Sequence, residues 1–141
     1  MITEKSTQDK IVFVYTTCAD KSEVRHLSFS AVAEKLAICA DSWPIESIYP
    51  WQGVIQDVGQ YMVMFTTKKS LSAKLASFVG GLHSYTVPMI AECDTAFSSP
   101  AYAMWADRVL NDFSKDYISQ EEADKKQTEY EEDGYHPGKL K

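Results

Sequence analysis

Three cysteines in 141 residues are too few and too widely spaced for a disulfide framework. Cys18, Cys39 and Cys93 also lack the paired spacing of a zinc ribbon, and reduced thiols fit a cytoplasmic setting. Basic residues are outnumbered, 14 Lys and Arg against 20 Asp and Glu. That balance excludes an ordinary nucleic-acid surface, which needs clustered positive charge. No apolar run approaches the roughly 20 residues of a membrane-spanning helix. Residues 1–10 are polar, without the apolar stretch of a secretory signal. Gly-rich phosphate loops, nucleophile elbows and zinc-protease helices are all missing. The chain is therefore expected to be non-enzymatic, with no nucleic-acid or membrane partner.

What is present reads as one domain with a real core. Hydrophobic content is 45% and charged content 24%, ordinary for a globular chain. Residues 1–10 are expected to be a flexible arm, 11–117 the folded domain, and 118–141 a charged, disordered tail. That tail carries seven acidic and four basic residues, a net −3, and has transient helix potential over 121–132.

Residues 11–17 form a near-continuous β-branched run, the mark of a central strand. Asp20 followed by Glu23 predicts a capping box. The helix behind it should face Val24, Leu27, Ala31 and Leu36 inward. A short strand is expected over 37–41 and interrupted by Pro44. Strands at 47–56 and 61–67 should form a long hairpin turning at Asp57-Val58-Gly59. Its outer strand should overhang the sheet. Residues 70–83 are the clearest helix, with Leu71, Leu75, Phe78, Val79 and Leu82 on one stripe. A strand over 86–93 contains Pro88. Ser99-Pro100 then starts a last helix carrying Tyr102, Trp105, Val109 and Phe113. The order predicts an α+β, ferredoxin-like βαββαβ antiparallel sheet with an added C-terminal helix.

Three stretches carry a further signal: Val12-Phe13-Val14-Tyr15-Thr16-Thr17-Cys18-Ala19-Asp20, Ser47-Ile48-Tyr49-Pro50-Trp51-Gln52-Gly53-Val54-Ile55, and His83-Ser84-Tyr85-Thr86-Val87-Pro88. With Thr66-Thr67, Tyr102 and Trp105 in register, they resemble the CutA family. The resemblance implies a homotrimer associated with divalent-cation tolerance, copper above all. It also implies a cleft between subunits lined by Tyr49, Trp51, Tyr85 and Trp105. Aromatic residues there serve either a small-molecule pocket or interface packing.

Two residues are candidate metal ligands. His83 offers imidazole, a good donor to copper or zinc; the dipole at a helix C-terminus also favours histidine there. It should lie near the surface, so Trp105→Ala is expected to destabilise more than His83→Ala. Cys18, at a strand-to-helix junction, is either an activated thiolate or a small residue in a tight turn. Cys39 and Cys93 are expected to be buried, inert thiols, and His26 and His136 exposed. Where the family carries acidic or basic residues this chain has Met89, Thr86 and Val54, so few anionic groups accompany His83. Two alternatives stand beside the cation reading. One is a small-ligand signalling trimer like the PII proteins, with Lys68, Lys69 and Lys74 as its only cationic candidates. The other is a trimeric scaffold that has lost its metal site.

Overall fold

The computed structural model describes residues 9–114 and 116–125. The elements are β1 (Ile11–Cys18), α1 (Lys21–Ala33), β2 (Cys39–Trp51), β3 (Val54–Lys68), α2 (Lys69–Leu82), β4 (Ile90–Asp94), α3 (Pro100–Leu110) and α4 (Gln120–Lys125). The four strands make one sheet in the order β2-β3-β1-β4, each antiparallel to its neighbours. β1 and β2 thus run the same way with β3 inserted between them, the split βαβ arrangement expected from the sequence.

The two-residue period of β1 sorts its side chains. Val12, Val14, Thr16 and Cys18 are fully buried on one face. Against that face pack Val24, Leu27 and Ala31 of α1 and Leu75 and Val79 of α2, together with Val63 and Phe65 of β3. The capping box forms: the Asp20 carboxylate accepts from the Glu23 amide at 2.9 Å, and Glu23 accepts from the Ala19 amide at 3.2 Å. Helix α2 has no side-chain cap of its own. Asp9 supplies one from the chain's start, accepting from the Ser70 amide at 2.9 Å and the Ser70 hydroxyl at 2.5 Å. Asp9, within the segment expected to be an arm, is thus bonded to α2; residues 1–8 of that segment lie outside the described residues.

Helix α3 covers the opposite face at the Ile11 end, where Ala106 and Leu110 meet Ile11 and Ile38, flanked by Tyr102, Trp105 and Val109. Phe113, expected on that stripe, lies past the helix end and is 77% exposed. The Lys35 ammonium sits over its ring and that of Tyr117, at 5.5 and 4.8 Å. Within the segment expected to be a tail, Gln120–Lys125 is helical and Ala123 is buried. The rest of that segment, 126–141, lies outside the described residues.

Three strand boundaries differ from expectation. β2 continues through Pro44 and Pro50 without interruption, because β2 is an edge strand and a missing amide donor costs nothing on the solvent side. The hairpin turns at Gln52-Gly53 rather than at Asp57-Val58-Gly59, which lies inside β3. Gln52 and Gly53 have φ of 50° and 78°, two consecutive left-handed residues that match the right-handed twist of the strands in a two-residue turn. β4 begins only at Ile90, so Thr86, Val87 and Pro88 are left as an irregular connection.

The hairpin is longer than the sheet that anchors it. β2 and β3 have 13 and 15 residues, against 8 in β1 and 5 in β4. Pairing of β3 with β1 ends at Tyr61↔Cys18, and beyond it β3 pairs with β2 alone.

Candidate functional site

The far end of β1, the end of α2 and the root of the hairpin converge on His83. Its side chain is 0% exposed, which corrects the expectation of a residue near the surface. The reason is local: α2 ends one residue earlier, and the extended backbone at His83 turns the ring inward onto β1. Nε2 lies 2.8 Å from the Thr17 carbonyl, an acceptor, so Nε2 carries the proton. Thr16 Oγ1, 3.2 Å away, donates its own proton to the Met89 carbonyl at 2.7 Å and accepts from the imidazole. Nδ1 accepts from the Tyr85 amide at 3.1 Å. Both ring nitrogens are committed within the chain.

Glu23 ties this centre to helix α1. One carboxylate oxygen closes the capping box; the other accepts from the Ser84 amide at 2.7 Å and lies 3.5 Å from His83 Nδ1. Burial works against the carboxylate, but hydrogen bonds from the Ser84 backbone and hydroxyl and the Ala19 amide outweigh it. They hold the Glu23 pKa below its ordinary 4.5. A depressed carboxylate contributes stability above its unfolded value and loses it as pH falls through the folded one. The melting temperature of the wild type is therefore expected to fall more steeply below pH 4.5 than that of Glu23→Gln. Parallel pH profiles for the two proteins would remove Glu23 from this role. Asp20 and Glu23 are visible in the sequence as a cap, but nothing there marks the second carboxylate oxygen as a clamp on residue 84.

Cys18 belongs to the core. It is 0% exposed, and burial, then the carboxylates of Glu23 and Asp20, push its pKa up to about 12. A thiol held neutral is not an activated ligand, so the tight-fit role is the one its surroundings favour. Cys39 is half-buried, its pKa raised to about 11 by burial and by Asp41. Cys93 is exposed rather than buried, because β4 is an edge strand and Cys93 sits on the sheet face away from α1 and α2. His26 is exposed, as expected; His136 lies outside the described residues. No group of three or more His, Cys, Asp or Glu is placed to hold a metal ion among the described residues. Among the described residues of one chain the donors therefore do not fit a divalent cation.

Three of the four aromatic residues assigned to a cleft do meet. Tyr49, Trp51 and Tyr85 line an open groove of about 790 Å³ between the hairpin and the segment after α2. Gln56 and Gln60 form its floor on β3, and Thr17, Ser84, Thr86, Val87 and Met89 complete it. The Tyr85 hydroxyl donates to Gln60 Oε1 at 2.8 Å, and its ring lies 4.9 Å from that of His83. Burial and the Glu23 charge raise the Tyr85 pKa, keeping it a neutral donor. Trp105 is elsewhere, stacked near Tyr102 at 5.8 Å in the α3 layer. The lysines named as phosphate candidates are outside the groove. Lys68 pairs with Asp107 at 2.7 Å and Lys69 with Glu92 at 2.5 Å, while Lys74 is exposed on α2. A nucleotide-binding module of the PII kind is not favoured by this arrangement. The sequence resemblance pointed to the aromatic walls; it did not point to Gln56 and Gln60, whose only signal was their shared face on β3.

A sequence model of the family described as CutA1 divalent ion tolerance protein matches residues 12–109. The chain belongs to this family. Among curated CutA relatives, the divalent-cation tolerance protein CutA of Thermococcus kodakarensis is 32% identical over 99 residues, covering 70% of this chain and 95% of its own. The chloroplastic protein CutA of Arabidopsis thaliana is 32% identical over 103 residues, and the match spans 72% of this chain but only 57% of that one. The structure of CutA from Synechococcus elongatus superposes with a TM-score of 0.71 at 30% identity, covering 74% of this chain and 93% of the other. A structure described as the periplasmic divalent cation tolerance protein CutA from Archaeoglobus fulgidus superposes at 0.69 with 25% identity, covering 72% and 99%. All four cover 70–74% of this chain, and the α+β fold with a four-stranded antiparallel sheet is that of CutA.

Proposed function

We propose that this chain acts as a non-enzymatic, homotrimeric divalent-cation tolerance protein of the cytoplasm. The observation that carries the assembly is the hairpin overhang. Ile48, Trp51, Val54 and Ile55 are 71, 60, 58 and 75% exposed on two strands that, toward the tip, pair only with each other. A two-stranded ribbon is marginal in water by itself, and an apolar patch of this kind marks an interaction surface. Next to it, Trp43 is 41% exposed and Tyr15, Met62 and Met64 are half-buried on the sheet face that α1 and α2 leave open. Three copies joined through these surfaces would cover both. Sedimentation equilibrium at micromolar concentration is expected to return a trimer; a stable monomer overturns the assembly.

The metal side of the proposal is weak contact rather than a preformed site. Divalent copper takes imidazole, nitrogen and oxygen donors, and His83 is the imidazole among the residues singled out. Reaching it requires breaking its bonds to Thr17 and Tyr85. Calorimetry in a buffer that does not bind copper is expected to give affinity in the micromolar range or poorer, lost in His83→Ala. The scaffold reading, a trimer without a metal site, is favoured by those same committed nitrogens. No heat of copper binding in a verified trimer would establish it over the first; tight binding that survives His83→Ala would overturn both.

A further inference from the structure

We infer that the groove between the hairpin and the segment after α2 binds an uncharged purine base or nucleoside of the adenine type. The inference is independent of the metal reading and stands on the chemistry of the lining. The groove volume of about 790 Å³ falls in the usual small-ligand range of about 300–1,000 Å³. None of its lining residues is Asp, Glu, Lys, Arg or His. A bare divalent cation needs carboxylate or imidazole donors, and a phosphate needs basic groups or exposed helix-start amides. The groove supplies none of these.

It supplies ring faces and carboxamides. Tyr49 and Trp51 are two residues apart on one face of β2 and remain 39 and 60% exposed. Gln56 is the cross-strand partner of Tyr49, and Gln60 lies on the same face of β3. Gln56 is half-buried and makes no side-chain hydrogen bond among the described residues. Gln60 accepts one bond, from Tyr85, which leaves its amino group to donate. A carboxamide presents a donor and an acceptor side by side, the complement of the adenine N6 and N7 edge. Aromatic faces stack bases of any kind. Tyr85 is fixed at both ends, by its amide on His83 and its hydroxyl on Gln60. Trp51 also belongs to the patch assigned to assembly, so the groove borders a neighbouring copy, while Ile48 and Ile55 lie on the opposite hairpin face.

Adenosine titrated by calorimetry into the full chain, in its native assembly, is expected to bind saturably and more tightly than AMP. Inosine replaces the exocyclic amino donor with an acceptor and is expected to bind about tenfold more weakly. Gln56→Leu should weaken adenosine by about tenfold, and Trp51→Ala by about tenfold or more. Melting temperature and sedimentation of both variants are checked first; if Trp51→Ala disturbs assembly, Gln56→Leu alone decides. No saturation at millimolar adenosine, AMP binding as tightly as adenosine, or affinity unmoved by Gln56→Leu each overturns the inference. Because the oligomeric state is measured separately, failure here leaves the trimer proposal standing.

Discussion

Phe65→Ala is expected to lower the free energy of unfolding by about 3–5 kcal/mol, the range for truncating a buried aromatic ring. Phe65 is the largest fully buried side chain, at 0% exposure. It sits toward the end of β3, where that strand is paired on both sides, opposite Val14 on β1 and Ala40 on β2. Its ring fills the layer between the sheet and the two helices, in one cluster with Leu27, Leu75 and Val79. Cavities there relax poorly, because strand pairs on both sides hold the backbone in register. Urea denaturation at fixed protein concentration measures the effect. A loss under about 1 kcal/mol would mean that the helices are not closed over the sheet as described.

His83→Ala is expected to cost about 2–4 kcal/mol, a large penalty for a position that the sequence places near the surface. Removing the imidazole leaves the Thr17 carbonyl without its donor and the Tyr85 amide without its acceptor. A buried polar group with no partner costs about 1–3 kcal/mol by itself, and the lost ring volume adds to it. Trp105, ranked above His83 on sequence grounds, is only half-buried, so its truncation is expected to cost no more. Thermal and chemical unfolding of both variants test the order. A His83→Ala protein as stable as the wild type would mean that the bonds around the ring contribute nothing net.

The parts of the fold legible in the sequence are those set by local period or local chemistry. The β-branched run of β1, the stripe of α2 and the Asp20–Glu23 box each involve residues within one or two turns or strands. The first and third appear as expected; of the α2 stripe Leu75 and Val79 are buried, while Leu82 is 38% exposed. The hairpin tip was misplaced because two turn signals compete. Asp57 and Gly59 have turn chemistry, but Gln52-Gly53 has the backbone angles that the strand twist demands, and only pairing of 28 strand residues decides between them. Pro44 misled for a related reason. A proline ends a central strand but not an edge strand, and edge position is a property of the sheet. At the site, Tyr49, Trp51 and Tyr85, which the resemblance assigns to a cleft between subunits, line one groove of the single chain. The resemblance could not show that Trp105 lies in the α3 layer, or that residues 16, 17, 23 and 85 close around His83. Those contacts join positions 60 or more residues apart, except for Tyr85.

The two prolines of β2 have a consequence for solubility. Backbone amides along a strand point alternately to its two sides, and residues 44 and 50 have the same parity. β2 remains paired with β3 at both places, so both missing donors fall along the free border. A strand from a stranger would find gaps at two points when trying to add itself there. The long, greasy ribbon that invites copies of itself to join thus carries a stop against endless sheet growth. Pro44→Thr and Pro50→Thr together should raise the tendency to form fibrils while leaving the native contacts of β2 in place.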